Sequence, residues 1–498
     1  MDIKPYMEKF GFGRDVSRHL VLEREGRLVM TFAPEGGASF MPSAGQGGGG
    51  LEIYLVCDGQ PVDYEYSATQ SLIELKTARG VMRITLDAGA DALRFEGEGV
   101  ALRLDAKTAV MGTTSLATAQ GVELSVGGGR YFFAPICGTI SFDDTWLLSQ
   151  FHSVTPVVDL APEGGRFELA AYSLAADAAP PGLTKTPAQC AAESDASFAA
   201  FRETLAPLPE EWSDVHERIA YLLWRNRRRL PDGGTVVVGN KSQSPDTDAR
   251  LQAIASLAFR DADDAIDLIL ALPASAPPIQ AIAILRLLDE GLLAKASRKT
   301  IYRLYNALDA STRWWFENRS AAGRVFYAYR YETGIASPAV FGAGEPAWSP
   351  DLAAYIILAC QALSRLADLV LDGGETARWH EAYERRLHLF TGNLWDGAAF
   401  TGVNAYTGAR SKSDPLLSFM PLVLGGRLPS DVVDALASSI DAPSLRSAMG
   451  MLAVAGLKKA GKTELAERLV REALEDARVN GVECPFYGAA LLYSFGGY

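Results

Sequence analysis

Ser349-Pro350-Asp351-Leu352-Ala353-Ala354-Tyr355-Ile356-Ile357-Leu358-Ala359-Cys360-Gln361-Ala362-Leu363-Ser364-Arg365-Leu366 carries start signals and helical periodicity together. Ser349 suits the N-cap, Pro350 is pre-set for the first helical position, and Asp351 favours the positive end of the dipole. Leu352, Tyr355, Ile356, Ala359, Leu363, Leu366 and Val370 recur at helical spacing, and Gly373-Gly374 is read as the stop. The next segment puts Trp379, Tyr383, Leu387, Phe390 and Leu394 on one face. Short loops between such helices favour antiparallel neighbours.

Working outward, roughly a dozen helical segments fill residues 190 to 498. No repeat of twenty to fifty residues is visible, so a solenoid is disfavoured. Paired helices without sequence repeats fit an (α/α)6 toroid, a six-hairpin ring with a cleft at one end. Residues 20 to 180 read differently. Leu28–Phe32, Leu51–Val56, Leu72–Leu75, Val81–Leu86, Ala101–Asp105, Val122–Val126 and Arg166–Ala170 are short, and several alternate apolar with polar. Gly, Asp and Pro separate them, as in an antiparallel sandwich. The fold class expected is therefore multidomain: an N-terminal antiparallel β-sandwich over 1–180, a linker over 181–208, and a C-terminal all-α toroid over 209–498. Ala, Pro and Thr between Ala175 and Pro187 suggest the linker.

Composition agrees and excludes some functions. A chain of 498 residues is too long for one core. Its net charge of -13 argues against nucleic acid and anionic membranes as partners. The densest basic run, Arg225-Asn226-Arg227-Arg228-Arg229, is read as complementing a helix C-terminus. Cys57, Cys137, Cys190, Cys360 and Cys484 show no CxxC spacing, and the five histidines show no zinc pattern, so no metal or other cofactor is expected. The N-terminus lacks a signal-like apolar stretch and no transmembrane run is expected, which suggests a cytoplasmic protein. Gly45-Gln46-Gly47-Gly48-Gly49-Gly50 lacks the Lys-Ser/Thr of a P-loop and reads as a hairpin tip. No GxSxG elbow is present.

Four stretches carry a resemblance. They are Asp246-Thr247-Asp248 with Ala255–Asp261; Pro277-Pro278-Ile279; Tyr331-Glu332-Thr333-Gly334-Ile335-Ala336-Ser337-Pro338 leading to the Ser349 helix and Leu394-Trp395-Asp396; and Gly481-Val482-Glu483 before Tyr487–Leu492. In this order they resemble glycoside hydrolases of family 63, the processing α-glucosidase I group, whose relatives include trehalases and mannosylglycerate hydrolases. The resemblance spans roughly residues 235 to 498. It implies an α/α toroid, often with a β-sandwich before it, and hydrolysis with inversion. It also shows departures. Ala336 stands where the family has its general-acid Asp, the Trp before the first Asp is missing, and Ser447-Ala448-Met449-Gly450-Met451 stands near a Trp-rich segment that is not recognisable.

Glycoside hydrolysis needs two carboxyl groups across the scissile bond. By resemblance, Glu483 is the candidate base, and Glu332 holds sugar or replaces the missing acid. Glu345 is the rival acid, on a Gly-rich loop. The alternative for Glu332 is an ion pair with Arg330 or Arg324. Asp246 and Asp248 either bind sugar hydroxyls or cap a helix. Tyr329, Tyr331, Arg330 and Trp348 are candidate sugar contacts, because aromatic faces stack on sugar rings. Trp314-Trp315 reads as helix packing and Trp395 as structural. The leading expectation is a glycosidase acting on a small or medium glycoside. The alternatives are an inactive sugar-binding homologue and a polysaccharide lyase using Tyr327 or Tyr329 with Arg330. Oligomeric state is not legible.

Overall fold

The computed structural model describes residues 1–498 except 16, 33–49, 107–113, 119, 127–128, 144–145, 148–151, 154–155, 175–178, 230–233, 241–248, 335–337, 372, 441 and 497–498. The hairpin tip expected at 45–50 falls almost wholly outside the described residues. The chain forms two compact units, discontinuous in sequence. One comprises Met1–Arg202, Ala220–Arg229 and Val238–Asp246. The other comprises Glu203–Ile219, Leu230–Val237 and Thr247–Tyr498.

The N-terminal unit is an antiparallel β-sandwich. One sheet runs in the order His19–Arg24, Arg27–Phe32, Leu51–Cys57, Ala101–Asp105, Val157–Ala161, Thr139–Asp143, with Gln60–Val62 added on Leu51–Cys57. The other runs Thr114–Thr118, Gly121–Val126, Gly129–Cys137, Arg166–Ser173, Ala92–Glu98, Val81–Asp87, Ile73–Lys76, Glu65–Ala68. Period-two alternation sets the register: Ile53 pairs with Leu104 and Leu55 with Leu102, all four buried. On the second sheet Ile84 pairs with Phe95 and Phe95 with Leu169, again buried. Every strand expected from the sequence is present.

Within 181–208, expected as linker, Pro187–Glu203 form helix α1, which buries Cys190, Ser194, Phe198 and Phe201. Phe198 packs against Tyr221 and Trp224, at 6.3 and 5.5 Å between ring centroids, inside the N-terminal unit. Those two residues lie on α2 (Ser213–Arg225). The basic run begins at a helix C-terminus, as read, since Arg225 is the last residue of α2. Arg225 is fully buried, donates to Asn226 at 2.6 Å, and burial pulls its guanidinium down to about 10. Arg227–Arg229 continue as a strand.

The C-terminal unit is helical and ring-closed. α3 (Ala249–Ser256), α5 (Gln280–Asp289), α7 (Pro350–Val370), the 3-10 segment Met420–Arg427, α11 (Ala448–Lys459) and α13 (Pro485–Gly496) pack successively, and α13 returns to α3. These six elements are the inner ring. α4 (Ala262–Leu270), α6 (Arg298–Asn318), α8 (Gly373–Leu394) and α12 (Thr463–Asn480) pack outside them, with α10 (Ser430–Ser439) as the outer helix between Met420–Arg427 and α11 and α9 (Pro415–Phe419) in the connection before it. Burial follows this order. Gln280–Leu287 and Pro485–Ser494 are buried throughout, whereas α12 buries only the stripe Ala466, Leu469, Val470, Ala473, Leu474 and Ala477. α7 is long and apolar enough to cross a membrane, but 78% of its most apolar window is buried by protein, as expected of the central inner helix. Trp315 packs as expected, its indole N–H donating to the Ala276 carbonyl at 2.8 Å.

Local chemistry departs from the sequence reading at two points. Ser349 is the N-cap residue but its hydroxyl donates to Asp351 rather than capping an amide. Gly373-Gly374 open α8 instead of closing α7, which ends at Val370.

Burial of phenols gives a pH consequence. Desolvation first, then nearby charges, pushes Tyr487 and Tyr305 up to about 12, and burial raises Tyr131 and Tyr221 as well. In the unfolded chain these phenols ionise near pH ~10. Their stabilising contribution is complete below that value and is lost as pH rises through the folded values. The thermal midpoint is expected to begin falling above about pH 10, with the phenolate absorbance of these four tyrosines appearing together with unfolding.

Candidate active site

In a ring that alternates outer and inner helices, every outer-to-inner connection leaves from the same end. The α6–α7 connection carries Glu332 and Glu345, and the α12–α13 connection carries Glu483. Ser411–Asp414 precede α9 and the inner Met420–Arg427 segment, and Arg446 and Ser447 precede α11. The topology therefore gathers all three candidate carboxylates at one end of the helical unit. Asp246, Asp248 and Ala336 lie outside the described residues.

The α6–α7 connection is the most elaborate. Ser320–Ala321 and Arg324–Val325 form a hairpin whose turn, Ala322 and Gly323, has positive φ. Tyr327 then pairs with Ala347 through two backbone bonds of 2.9 and 3.0 Å. Between them the chain makes a 3-10 turn, Arg330–Thr333, and returns along Ala347–Trp348, which pairs with Gly402–Asn404. Asn404 ties the Gly344 loop to the neighbouring connection. Its amide N–H groups donate to the Ala343 and Gly344 carbonyls, both at 3.3 Å, and its Oδ1 accepts from Tyr406 and Thr407 at 3.1 and 2.9 Å. The Ala339 amide donates to Asp414 at 2.7 Å.

Under this loop lies a buried polar floor. Tyr327, fully buried, donates to Asp351 Oδ2 at 2.8 Å, while Ser349 donates to Oδ1. Asp351 therefore anchors the aromatic stretch at the start of α7 as well as favouring the helix dipole.

Glu332 is half-buried and its oxygens are committed as acceptors. Oε1 accepts from Arg319 Nε at 3.0 Å and Nη2 at 2.9 Å; Oε2 accepts from the amides of Ala328 at 2.6 Å and Tyr329 at 3.3 Å. The expected ion pair exists, but with Arg319 rather than Arg330 or Arg324. Four N–H donors point at its two oxygens, so Glu332 clamps the loop. Glu345 is exposed. Its Oε1 accepts from the Arg330 amide and Nε at 3.2 and 3.3 Å, and Oε2 has no hydrogen bond among the described residues. Glu345 is thus the more available carboxyl of the two.

Glu483 is exposed on the turn between α12 and α13. Gly481 supplies the positive φ of +86° that ends α12, and Pro485 opens α13. Burial, then Asp476, with Glu483 and Cys484 after it, raise the ionisation of Tyr487 one turn on, and Arg446 opposes them. Arg446, just before α11, lies 3.5 Å from Asp476 in the last turns of α12.

Tyr329 and Tyr331 are exposed and stack on each other, with centroids 5.4 Å apart and planes 9° from parallel. Trp348 is buried beneath the Arg324 guanidinium, 5.7 Å from its centroid, so it is packing rather than an open sugar platform. Trp348 also lines a cavity of about 20 Å³ with Val325, Ile356, Arg386 and Phe390. A shallow depression of about 490 Å³ lies in the N-terminal unit among Asp2, Lys4, Glu8, Glu23 and Glu25. Neither is lined by Glu332, Glu345 or Glu483. Sequence reading missed Arg319, Asn404 and Tyr406, and it read Asp351 only as a helix-start acid, not as the acceptor for Tyr327 and Ser349.

Part of the helical unit is similar to a glycoside hydrolase domain. The particular match is to the mannosylglycerate hydrolase MGH1-like glycoside hydrolase domain, over residues 271–455. That segment contains Glu332, Glu345 and α7. No curated protein sequence matches the chain. Among solved structures, the family 92 glycosyl hydrolase CcMan5 is 11% identical, with 93% of this chain and 77% of that chain covered at a TM-score of 0.51. That similarity is of fold. The mannosylglycerate hydrolase of family 63 from Thermus thermophilus, in complex with Tris and D-glycerate, is 14% identical, with 57% and 100% covered and a TM-score of 0.46. An uncharacterized conserved protein of the same organism is 14% identical, with 59% and 100% covered and a TM-score of 0.46.

Proposed function

We propose that the helical unit is a glycosidase that hydrolyses the O-glycosidic bond of a small or medium glycoside. The observation that carries this is the gathering of Glu345 and Glu483 on outer-to-inner connections at one end of the ring, the first within the matched glycoside hydrolase segment. In this reading Glu483 activates water as general base and Glu345 protonates the leaving oxygen, with inversion at the anomeric carbon. Glu332 holds the loop through Arg319. Asp246 and Asp248 are the candidates for hydrogen bonds to sugar hydroxyls.

A second reading has specific support. By the resemblance read in the sequence, Ala336 stands where the family has its acid, and the nearest alternative, Glu332, is engaged as an acceptor by four N–H groups. Both favour a sugar-binding homologue without turnover. The lyase reading loses Tyr327, whose buried phenol is committed to Asp351.

The test is incubation of the full chain with a panel of nitrophenyl α- and β-glycosides of glucose, mannose and galactose. Release of nitrophenol from one anomeric series is expected, with the inverted free sugar as the first product by NMR. Binding of the same glycosides without release would establish the second reading instead.

A further inference from the structure

The Tyr329–Tyr331 pair is the end of a longer stack. The Arg319 guanidinium lies 5.1 Å from the Trp314 ring centroid and 5.9 Å from that of Tyr329. Tyr331 then covers Tyr329. The order is indole, guanidinium, phenol, phenol. Each layer is held: Trp314 by α6, Arg319 by its two N–H groups on Glu332, and Tyr329 by its amide on the same carboxylate.

The last layer is open. Tyr331 is 72% exposed, with one ring face on Tyr329. An exposed aromatic ring forfeits rotamer freedom when it is held in one orientation. Here that cost has already been met by the layers beneath, so a ligand that stacks on the outer face finds it pre-organised. The face is one ring wide. Arg330, the neighbour of Tyr331 in the chain, is paired with Glu345 at 3.3 Å. A protein partner needs about 800 Å² on each side with an apolar centre. A flat apolar face of one ring matches a pyranose, which has an apolar C–H face and hydroxyls at its edge.

We infer that the outer face of Tyr331 binds one sugar ring of an oligosaccharide. This rests on the reading of the helical unit as carbohydrate-acting, and it deepens that reading: the substrate has at least one ring besides the one attacked. The rigid clamp of Arg319 by Glu332 serves this platform.

The experiment titrates the full chain at low temperature with maltohexaose, cellohexaose and α-1,6-linked mannohexaose, and with methyl α-glucoside and methyl α-mannoside, by calorimetry. At least one hexaose is expected to bind more tightly than either methyl glycoside. Tyr331→Ala is expected to weaken that hexaose by roughly three- to tenfold, and Tyr331→Trp to retain it. The inference is overturned if Tyr331→Ala leaves the hexaose affinity within twofold of the parent, or if no hexaose binds. Reducing-end release is measured separately on the same samples. Binding that depends on Tyr331 without release therefore sinks the hydrolase reading alone, and release that is indifferent to Tyr331→Ala sinks the platform alone.

Discussion

Gly456→Ala is expected to destabilise the helical unit by about 2 kcal/mol or more, despite improving helix propensity. Gly456 lies in α11 where it crosses Met420–Arg427. A Cβ built there would sit 1.9 Å from the Leu422 carbonyl oxygen and 2.4 Å from its carbon, both backbone atoms. Backbone cannot swing aside as a side-chain end can, so the two inner elements must separate. Overpacking of this kind costs about 1–3 kcal/mol and sometimes more, while replacing a mid-helix Gly by Ala returns about 1 kcal/mol. The clash here is severe enough to put the cost at the upper end and leave a net loss. Gly392→Ala is the control. It lies exposed in α8 with nothing within 4 Å of the built Cβ, so only the propensity gain remains and a rise of about 0.5–1 kcal/mol is expected. Urea midpoints of the two variants should move in opposite directions. A parent-like midpoint for Gly456→Ala would show that the inner ring is looser than these contacts require.

Glu483→Gln is expected to lower turnover of whichever nitrophenyl glycoside is cleaved by about a thousandfold, because an amide cannot accept the proton of the attacking water. The residue is exposed, and surface substitutions of this kind shift stability by only about 0.5 kcal/mol. Thermal midpoint and binding should therefore stay close to the parent while kcat collapses. Turnover within threefold of the parent would remove Glu483 from the chemistry. The same exchange at Glu332 has the opposite signature: losing the charged partner of Arg319 and an acceptor for two backbone amides disturbs the loop, so stability falls along with activity.

The architecture was legible wherever one side of an element is buried, because burial leaves a period in the sequence. Alternation in Leu51–Val56 and Ala101–Asp105 marked sandwich strands, and Leu352 to Val370 marked the central helix. α1 was read as helical in part yet left within the linker, because its buried face is spelled by Cys190, Ser194, Phe198 and Phe201 among many alanines, a weak contrast against a linker rich in the same residue. Cap chemistry failed at Ser349 because its hydroxyl had a better acceptor, the Asp351 carboxylate, within reach. Closure of α13 on α3 is a contact between residues more than two hundred positions apart, and no local pattern announces it. In the site, the position of Glu332 was readable but its partner was not. Arg319 lies thirteen residues upstream, across a hairpin whose fold must be known before the distance can be.

The N-terminal unit uses three separated stretches of chain, and this orders events during synthesis. Tyr221 and Trp224, which pack against Phe198, follow the last strand of the sandwich, and Asn240 donates to the Lys9 carbonyl at 2.6 Å. The nascent polypeptide therefore completes the last sandwich strand at Ser173 before the aromatic partners of Phe198 have been made. A gene fragment cut at the apparent linker would leave Phe198 without those partners.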